Sequence, residues 1–151
     1  MITSWRIVAA HRIASAFSGE GSRLSGGRWN NIGTLLIYTS GTISLAAMEI
    51  MVNLPAAALL NRYVTIGVRF DESLVEELPK LPGDWDSRPA SPSTKAIGDQ
   101  WVAERRSAVL KVPSVIVPSE HNYLLNPNHP DWQNIQVQNP EIYFFDPRLI
   151  K

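Results

Sequence analysis

"RLSGGRWNNIGTLLIYTSGTISLAAMEIMVNLP", residues 23–55, holds both kinds of regular structure and the sharpest chemical anomalies in the chain. Within it, "TLLIYTS" is continuously apolar up to Tyr38, the pattern of a strand buried on both faces. Asn31-Ile32-Gly33 is a turn signal ahead of that strand. Ser44 is placed to cap a helix through "LAAMEIMVNL", which Pro55 helps to end. Before the strand, Gly26 and Gly27 hand over directly to Arg28 and Trp29. Glycine lets backbone approach a ligand closely, and free amides in such a loop make an anion-binding concavity. The guanidinium adds a planar, permanently charged fork suited to phosphate. Taken alone, the same residues also describe a tight turn with a surface arginine. A dinucleotide fingerprint is absent, because "GEGSRL" lacks the third glycine and no helix evidently follows.

Glu49 is the one ionisable residue of "SLAAMEIMVNL". A lone carboxylate on a mostly buried helix costs free energy unless something pairs with it. Two readings stand: Glu49 lies on an exposed stripe, or it is an acid at the floor of a cleft, able to stabilise developing positive charge. Tyr38 is either a core ring with its hydroxyl at the surface or an aromatic face for a ligand. Trp29 is expected to pack under the glycine loop. In "VPSVIVPSEHNYLLNPNHP", Ser114 follows a proline in a strand-like run, and Asn122, Tyr123, Asn126 and His129 fall in a turn-rich loop. The spacing of His121 and His129 matches no standard metal site. Ser114, His121 and Asp131 could form a hydrolase triad on paper, but the strand-turn-helix "GxSxG" elbow is missing.

Composition narrows the classes. The chain has 151 residues, 44% hydrophobic and 19% charged, which fits one soluble domain, 1–151, with a real core. No apolar run approaches the ~20 residues of a membrane span, and "MITSWRIVAAHRIAS" lacks the order of a signal peptide. With no cysteine there is no disulfide framework or thiolate site, so cytoplasm is the expected location. The formal net charge is zero, with 14 basic and 14 acidic residues, which argues against direct nucleic-acid binding. The imbalance is local: up to residue 48 there are Arg6, Arg12, Arg23 and Arg28 against Glu20 alone. Such a basic focus suits a compact anion.

Elsewhere, residues 2–9 and "RYVTIGVRF" read as strands, the latter with Val64, Ile66 and Val68 on one face. "AFSGEGSRLSGG" reads as a long loop, "DESLVEEL" as a short helix and "TKAIGDQWVAERRS" as a helix with Ile97 and Trp101 together. "EIYFFD" reads as a closing strand. Trp85 and Trp132, in proline-rich stretches, point to an interface. The class is α+β.

Taken in order, "AFSGEGSRLSGGRWN", "YTS", "SLAAMEIMVNL" and "VPSVIVPSEHNYLLNPNHP" resemble the RES domain family, named for its arginine, glutamate and serine. The resemblance runs from Trp5 to about Pro130 and matches these to Arg28, Glu49 and Ser114, with an active-site tyrosine at Tyr38. Ser119 gives the last block a second serine. The resemblance implies a single compact α+β domain with the split β-sheet of diphtheria-type ADP-ribosyltransferases. It implies a bacterial toxin that degrades NAD+ at the nicotinamide–ribose bond, by hydrolysis or phosphorolysis, and arrests growth. NAD+ would be substrate, with no prosthetic group and no metal. The implied partner is an Xre-like helix-turn-helix antitoxin that covers the cleft, and dimers are expected. Some relatives transfer ADP-ribose to a protein instead.

On this reading Arg28, presented by Gly26 and Gly27, binds a phosphate or ribose oxygen, and Tyr38 stacks on nicotinamide. Glu49 accepts a ribose hydroxyl and stabilises the sugar cation. Ser114 hydrogen-bonds near the amide or orients Glu49. Arg12 and Arg23 are second-rank phosphate contacts, and the loop with Asn122 lines the cleft. Arg28, Tyr38 and Glu49 are therefore expected to converge.

Overall fold

The N-terminal residues, with β-branched Ile2, Thr3, Ile7 and Val8, form β1 (Ile2–Ala9). In the computed structural model, which describes residues 1–150, β1 runs antiparallel to β3 (Tyr63–Phe70) over its whole length, from Ile2 opposite Phe70 to Ala9 opposite Tyr63. The "YTS" block is β2 (Ile37–Ser40), which pairs in full with β6 (His121–Leu125), Tyr38 facing Leu124 and Ser40 facing Asn122. β6 in turn pairs antiparallel with β5 (Val109–Pro113), and β4 (Val75–Glu77) adds a parallel edge. The order is β4-β5-β6-β2-β1-β3, with β7 (Gln136–Val137) and β8 (Glu141–Tyr143) both on the outer edge of β3.

The two halves meet at a thin seam. β1 and β2 share a single ladder pair, Trp5 with Ser40. Beyond it the Tyr38 carbonyl accepts from Arg6 Nη1 at 2.9 Å, a side chain standing in for a missing ladder bond. This is the split sheet of the expected α+β fold.

Register decides which residues share a face. Trp5, Tyr38, Ser40, Asn122 and Leu124 stand on one side. Helix α2 (Ile43–Met51) covers its β1–β3 end by packing Ala46 and Ala47 on Ile7 and Tyr63. Helix α3 (Pro92–Glu104) covers the β5–β6 end through Trp101, which lies with Trp29, Leu110 and Leu124. Tyr38, Ser40 and Asn122 are left between the helices. The opposite face buries Ile37, Val68, Phe70, Val109 and Leu125. Phe70 and Trp101 are fully buried, and truncating either to alanine would cost about 3–5 kcal/mol.

Four local expectations are corrected. The loop "AFSGEGSRLSGG" contains α1 (Glu20–Ser25), because Gly19 at φ 78° and Gly26 at φ 70° bracket a helical turn. "DESLVEEL" is a short 3-10 turn, Glu72–Leu74, followed by β4, since pairing with β5 outweighs local helix propensity over so few residues. The loop assigned to "EHNYLL" is the central strand β6, hidden from pattern reading by its length and its Asn/Pro flanks. The cap of α2 is Thr42, whose side chain accepts from the Leu45 amide, and Ser44 is exposed inside the first turn. Trp85 and Trp132 are half-buried, with Trp132 packed on the core around Val68. No helix among the described residues is long and apolar enough to cross a membrane.

Candidate active site

The β2–α2 connection is two residues long, and the Gly41 amide donates to the His121 carbonyl at 2.9 Å. That pin fixes where α2 begins and carries Glu49, one turn and a half along, over the start of β6. Glu49 Oε1 accepts from Ser114 Oγ at 2.9 Å and from Asn122 Nδ2 at 2.8 Å. Oε2 receives no bond from any described residue. Of the two sequence readings of Glu49, the exposed stripe does not hold: Glu49 is half-buried and its carboxylate is paired. The exposed stripe of α2 is Ser44, Met48 and then Val52.

Ser114 is fully buried at the end of β5. Its Oγ accepts the amides of Ile116 at 3.1 Å and Val117 at 3.2 Å while donating to Glu49. The hydroxyl therefore has one orientation. Because its proton points to Glu49 and not to a histidine, the triad of Ser114, His121 and Asp131 does not assemble; Asp131 sits beside His129. Asn122 keeps one sealed atom, Oδ1, without a partner. Ser119 is exposed.

Tyr38 and the glycine loop form a second cluster. The Tyr38 hydroxyl donates to Asn30 Oδ1 at 2.6 Å and accepts from the Trp29 amide at 3.0 Å. Burial pushes the phenol well above its ordinary pKa, against the opposing Trp29 amide; the charge on Asp99 raises it further and that on Arg28 lowers it. It is neutral at physiological pH. Its hydroxyl is committed to the loop. Gly27 is needed for space: a Cβ there would lie 2.6 Å from the Tyr38 hydroxyl. The expectation of free loop amides is corrected at both glycines, because Gly26 donates to the Ser22 carbonyl and Gly27 to the Asn30 carbonyl. Trp29, 2% exposed, packs beneath the loop as expected.

Arg28 Nη1 donates to the carbonyls of Ser87 at 2.8 Å and Trp85 at 3.2 Å. Arg88, from the same connection, reaches the Val115 carbonyl at 3.3 Å, beside Ser114. Among the described residues no hydrogen bond joins any two of the Arg28, Tyr38 and Glu49 side chains. Arg12 lies exposed against His11, and Arg23 is paired with Glu20 at 2.7 Å. Two surface hollows of about 380 and 370 Å³, one beside His11 and Arg62, the other beside Glu77 and Lys111, include none of Arg28, Tyr38, Glu49 and Ser114.

Sequence reading missed two parts of this arrangement. Arg6 was visible only as a charge, yet it bridges the seam with its Nε sealed and unpaired, and burial lowers its pKa from the ordinary arginine value. Asn30 is fully buried, and its Nδ2 serves the carbonyls of Ser22, Asn31 and Thr34. A buried asparagine eight residues before a strand tyrosine carries no recognisable pattern.

The split sheet flanked by short helices is the single α+β domain that the resemblance implied. The fold is similar to a chain of the Mycobacterium tuberculosis MbcT–MbcA toxin–antitoxin complex, with a TM-score of 0.76 at 20% identity, covering 99% of this chain and 86% of that one. The chain belongs to the RES domain family, whose profile matches residues 3–146. It is 40% identical to the Prs ADP-ribosylating toxin of Sphingobium sp. strain YBL2, spanning 100% of this chain and 99% of that protein. It is 36% identical to Toxin Res of Yersinia enterocolitica over 96% of this chain and 97% of the relative.

Proposed function

We propose that this chain is the toxin of a toxin–antitoxin pair and that it cleaves the nicotinamide–ribose bond of NAD+, passing the ADP-ribosyl group to water or phosphate. The observation that carries this reading is Glu49, with Oε1 held by Ser114 and Asn122 and Oε2 unpartnered. As the glycosidic bond breaks, its electron pair leaves with nicotinamide, which becomes neutral, and positive charge develops on the ribose. A fixed carboxylate lowers the energy of that cation and accepts a ribose hydroxyl; removing one such group commonly costs about 3 kcal/mol. Water or phosphate then bonds to the anomeric carbon; water sheds a proton as it adds. Arg28 Nε and Nη2 take no bond from the described residues, which leaves them for a phosphate oxygen. The Tyr38 ring would orient nicotinamide. NAD+ is substrate in this scheme, and no prosthetic group is invoked.

The relatives named Toxin Res support the toxin role, and the fold neighbour's complex supports an antitoxin partner. We take that partner to be Xre-like and the toxin to act in the cytoplasm as a homodimer. A second reading, transfer of ADP-ribose to a protein, is favoured by the relative named as an ADP-ribosylating toxin. One experiment separates them: purified protein is incubated with NAD+, with and without phosphate and with cell extract, and products are identified by mass. ADP-ribose indicates hydrolysis, ADP-ribose-1″-phosphate indicates phosphorolysis, and a mass gain on a protein indicates transfer. Intact NAD+ in every mixture refutes both readings.

A further inference from the structure

Helix α3 touches the glycine loop with one continuous stripe of its surface. Thr94, Lys95, Gly98 and Asp99 occupy positions i, i+1, i+4 and i+5, which fall on one side of a helix. Between them they contact Gly27, Arg28, Trp29 and Asn31 of the loop. Lys95 Nζ donates to the Gly27 carbonyl at 2.7 Å, and Thr94 Oγ1 donates to the Arg28 carbonyl at 2.7 Å. Gly98 lies against the Trp29 carbonyl, so closely that a Cβ would fall 1.6 Å from that oxygen. The Asp99 carboxylate accepts from the Asn31 amide at 3.0 Å and from its Nδ2 at 2.8 Å. The helix itself cannot shift freely: Trp101 is fully buried, and its indole nitrogen donates to Ser107 Oγ at 2.8 Å.

We propose that this stripe of α3 is a positioning device that sets the place of the Arg28 guanidinium, and through it the affinity for the anionic part of the substrate. The inference rests on the NAD+ reading for its ligand but not for its geometry. Tyr38 and Asn30 hold the loop from the sheet side, and α3 holds the same few residues from above. Arg28 is then fixed at its backbone by α3 and at its tip by the Trp85 and Ser87 carbonyls. A group that binds phosphate equally in ground and transition states changes KM and leaves kcat alone. Thr94, Lys95 and Gly98 should therefore act on KM although none of them touches the reacting bond.

The test compares Thr94→Val, Lys95→Met and Gly98→Ala with the parent protein in two measurements. The first is amide hydrogen exchange over residues 26–31, which needs no substrate. The second is kcat and KM for NAD+, repeated in an Arg28→Ala background. Exchange in the loop should accelerate, KM should rise about tenfold per lost bond with kcat within about twofold, and the KM effect should vanish once Arg28 is gone. Should Gly98→Ala fail to fold, the two near-isosteric variants decide. Unchanged loop exchange, a loss confined to kcat, or a full additional KM effect without Arg28 would overturn the proposal. A parent protein that leaves NAD+ intact would refute the functional reading, while the exchange measurement still decides whether α3 holds the loop.

Discussion

Replacing Ser114 by alanine removes one oxygen that makes three bonds. The donated bond to Glu49 is charge-assisted, at 2.9 Å, and such bonds contribute about 1.5–3 kcal/mol. The amides of Ile116 and Val117 lose their acceptor as well, but both residues are half-exposed and water recovers part of that loss. The expected net cost is about 2 kcal/mol, a Tm lower by about 4–8 °C for a chain of this size. Glu49 keeps Asn122 as a single donor, and its carboxylate gains freedom to rotate. Nicotinamide release should fall by about 10–100-fold, mostly in kcat, since the ground state relies less on that orientation. Calorimetric melting and a nicotinamide-release assay on the same preparation measure both. Ser119→Ala is the control: the residue is exposed and should change stability by less than ~0.5 kcal/mol. A Ser114→Ala protein with parental Tm and parental turnover, or a Ser119→Ala protein with an equal loss, would refute this reasoning.

Tyr38→Phe should cost about 2–3 kcal/mol, because it strands the buried Trp29 amide and Asn30 Oδ1. Its pH dependence has a definite sign. The folded phenol has a raised pKa, so its contribution is complete below the unfolded value of about 10 and is lost as pH rises beyond it. Denaturant titrations should show the parent losing stability above about pH 10 more steeply than Tyr38→Phe. Gly27→Ala forces a Cβ to 2.6 Å from the Tyr38 hydroxyl and should destabilise by about 1–3 kcal/mol. Combined with Tyr38→Phe it should cost less than the sum, as a double-mutant cycle would record. Arg23→Ala, whose partner Glu20 already neutralises it at an exposed site, should leave KM for NAD+ within about twofold, whereas Arg28→Ala should raise it tenfold or more.

The elements legible in the sequence were those with a repeating period or an unbroken apolar run, such as β2. β1, β3 and α3 each run eight residues or more, and α2 was legible from its apolar run, though it starts after Thr42 and ends at Met51 rather than at Pro55. β6 was illegible because its five residues open with His121 and Asn122 and run into Asn126-Pro127, which reads as a turn. At the site, Glu49 was readable because a lone acid in an apolar helix demands a partner, whereas Ser114 was matched to it only through the family resemblance; the two are bonded. Asn122 was expected in a loop and lies on a strand, where its amide reaches Glu49. The loop amides were misjudged for a physical reason: a tight Gly-Gly turn saturates its own N–H groups before any ligand arrives. Lys95, Gly98 and Asp99 could have been noticed as a polar stripe flanking the apolar pair Ile97 and Trp101, but nothing local says what such a stripe holds.

Everything proposed for the reaction depends on the carboxylate charge at position 49. Glutamine there keeps an oxygen for Ser114 and Asn122 and removes the charge. Purified Glu49→Gln protein should melt near the parent and release nicotinamide from NAD+ at least about 100-fold more slowly. Release at the parental rate by a folded Glu49→Gln protein would contradict the role given to that residue and, with it, the mechanism.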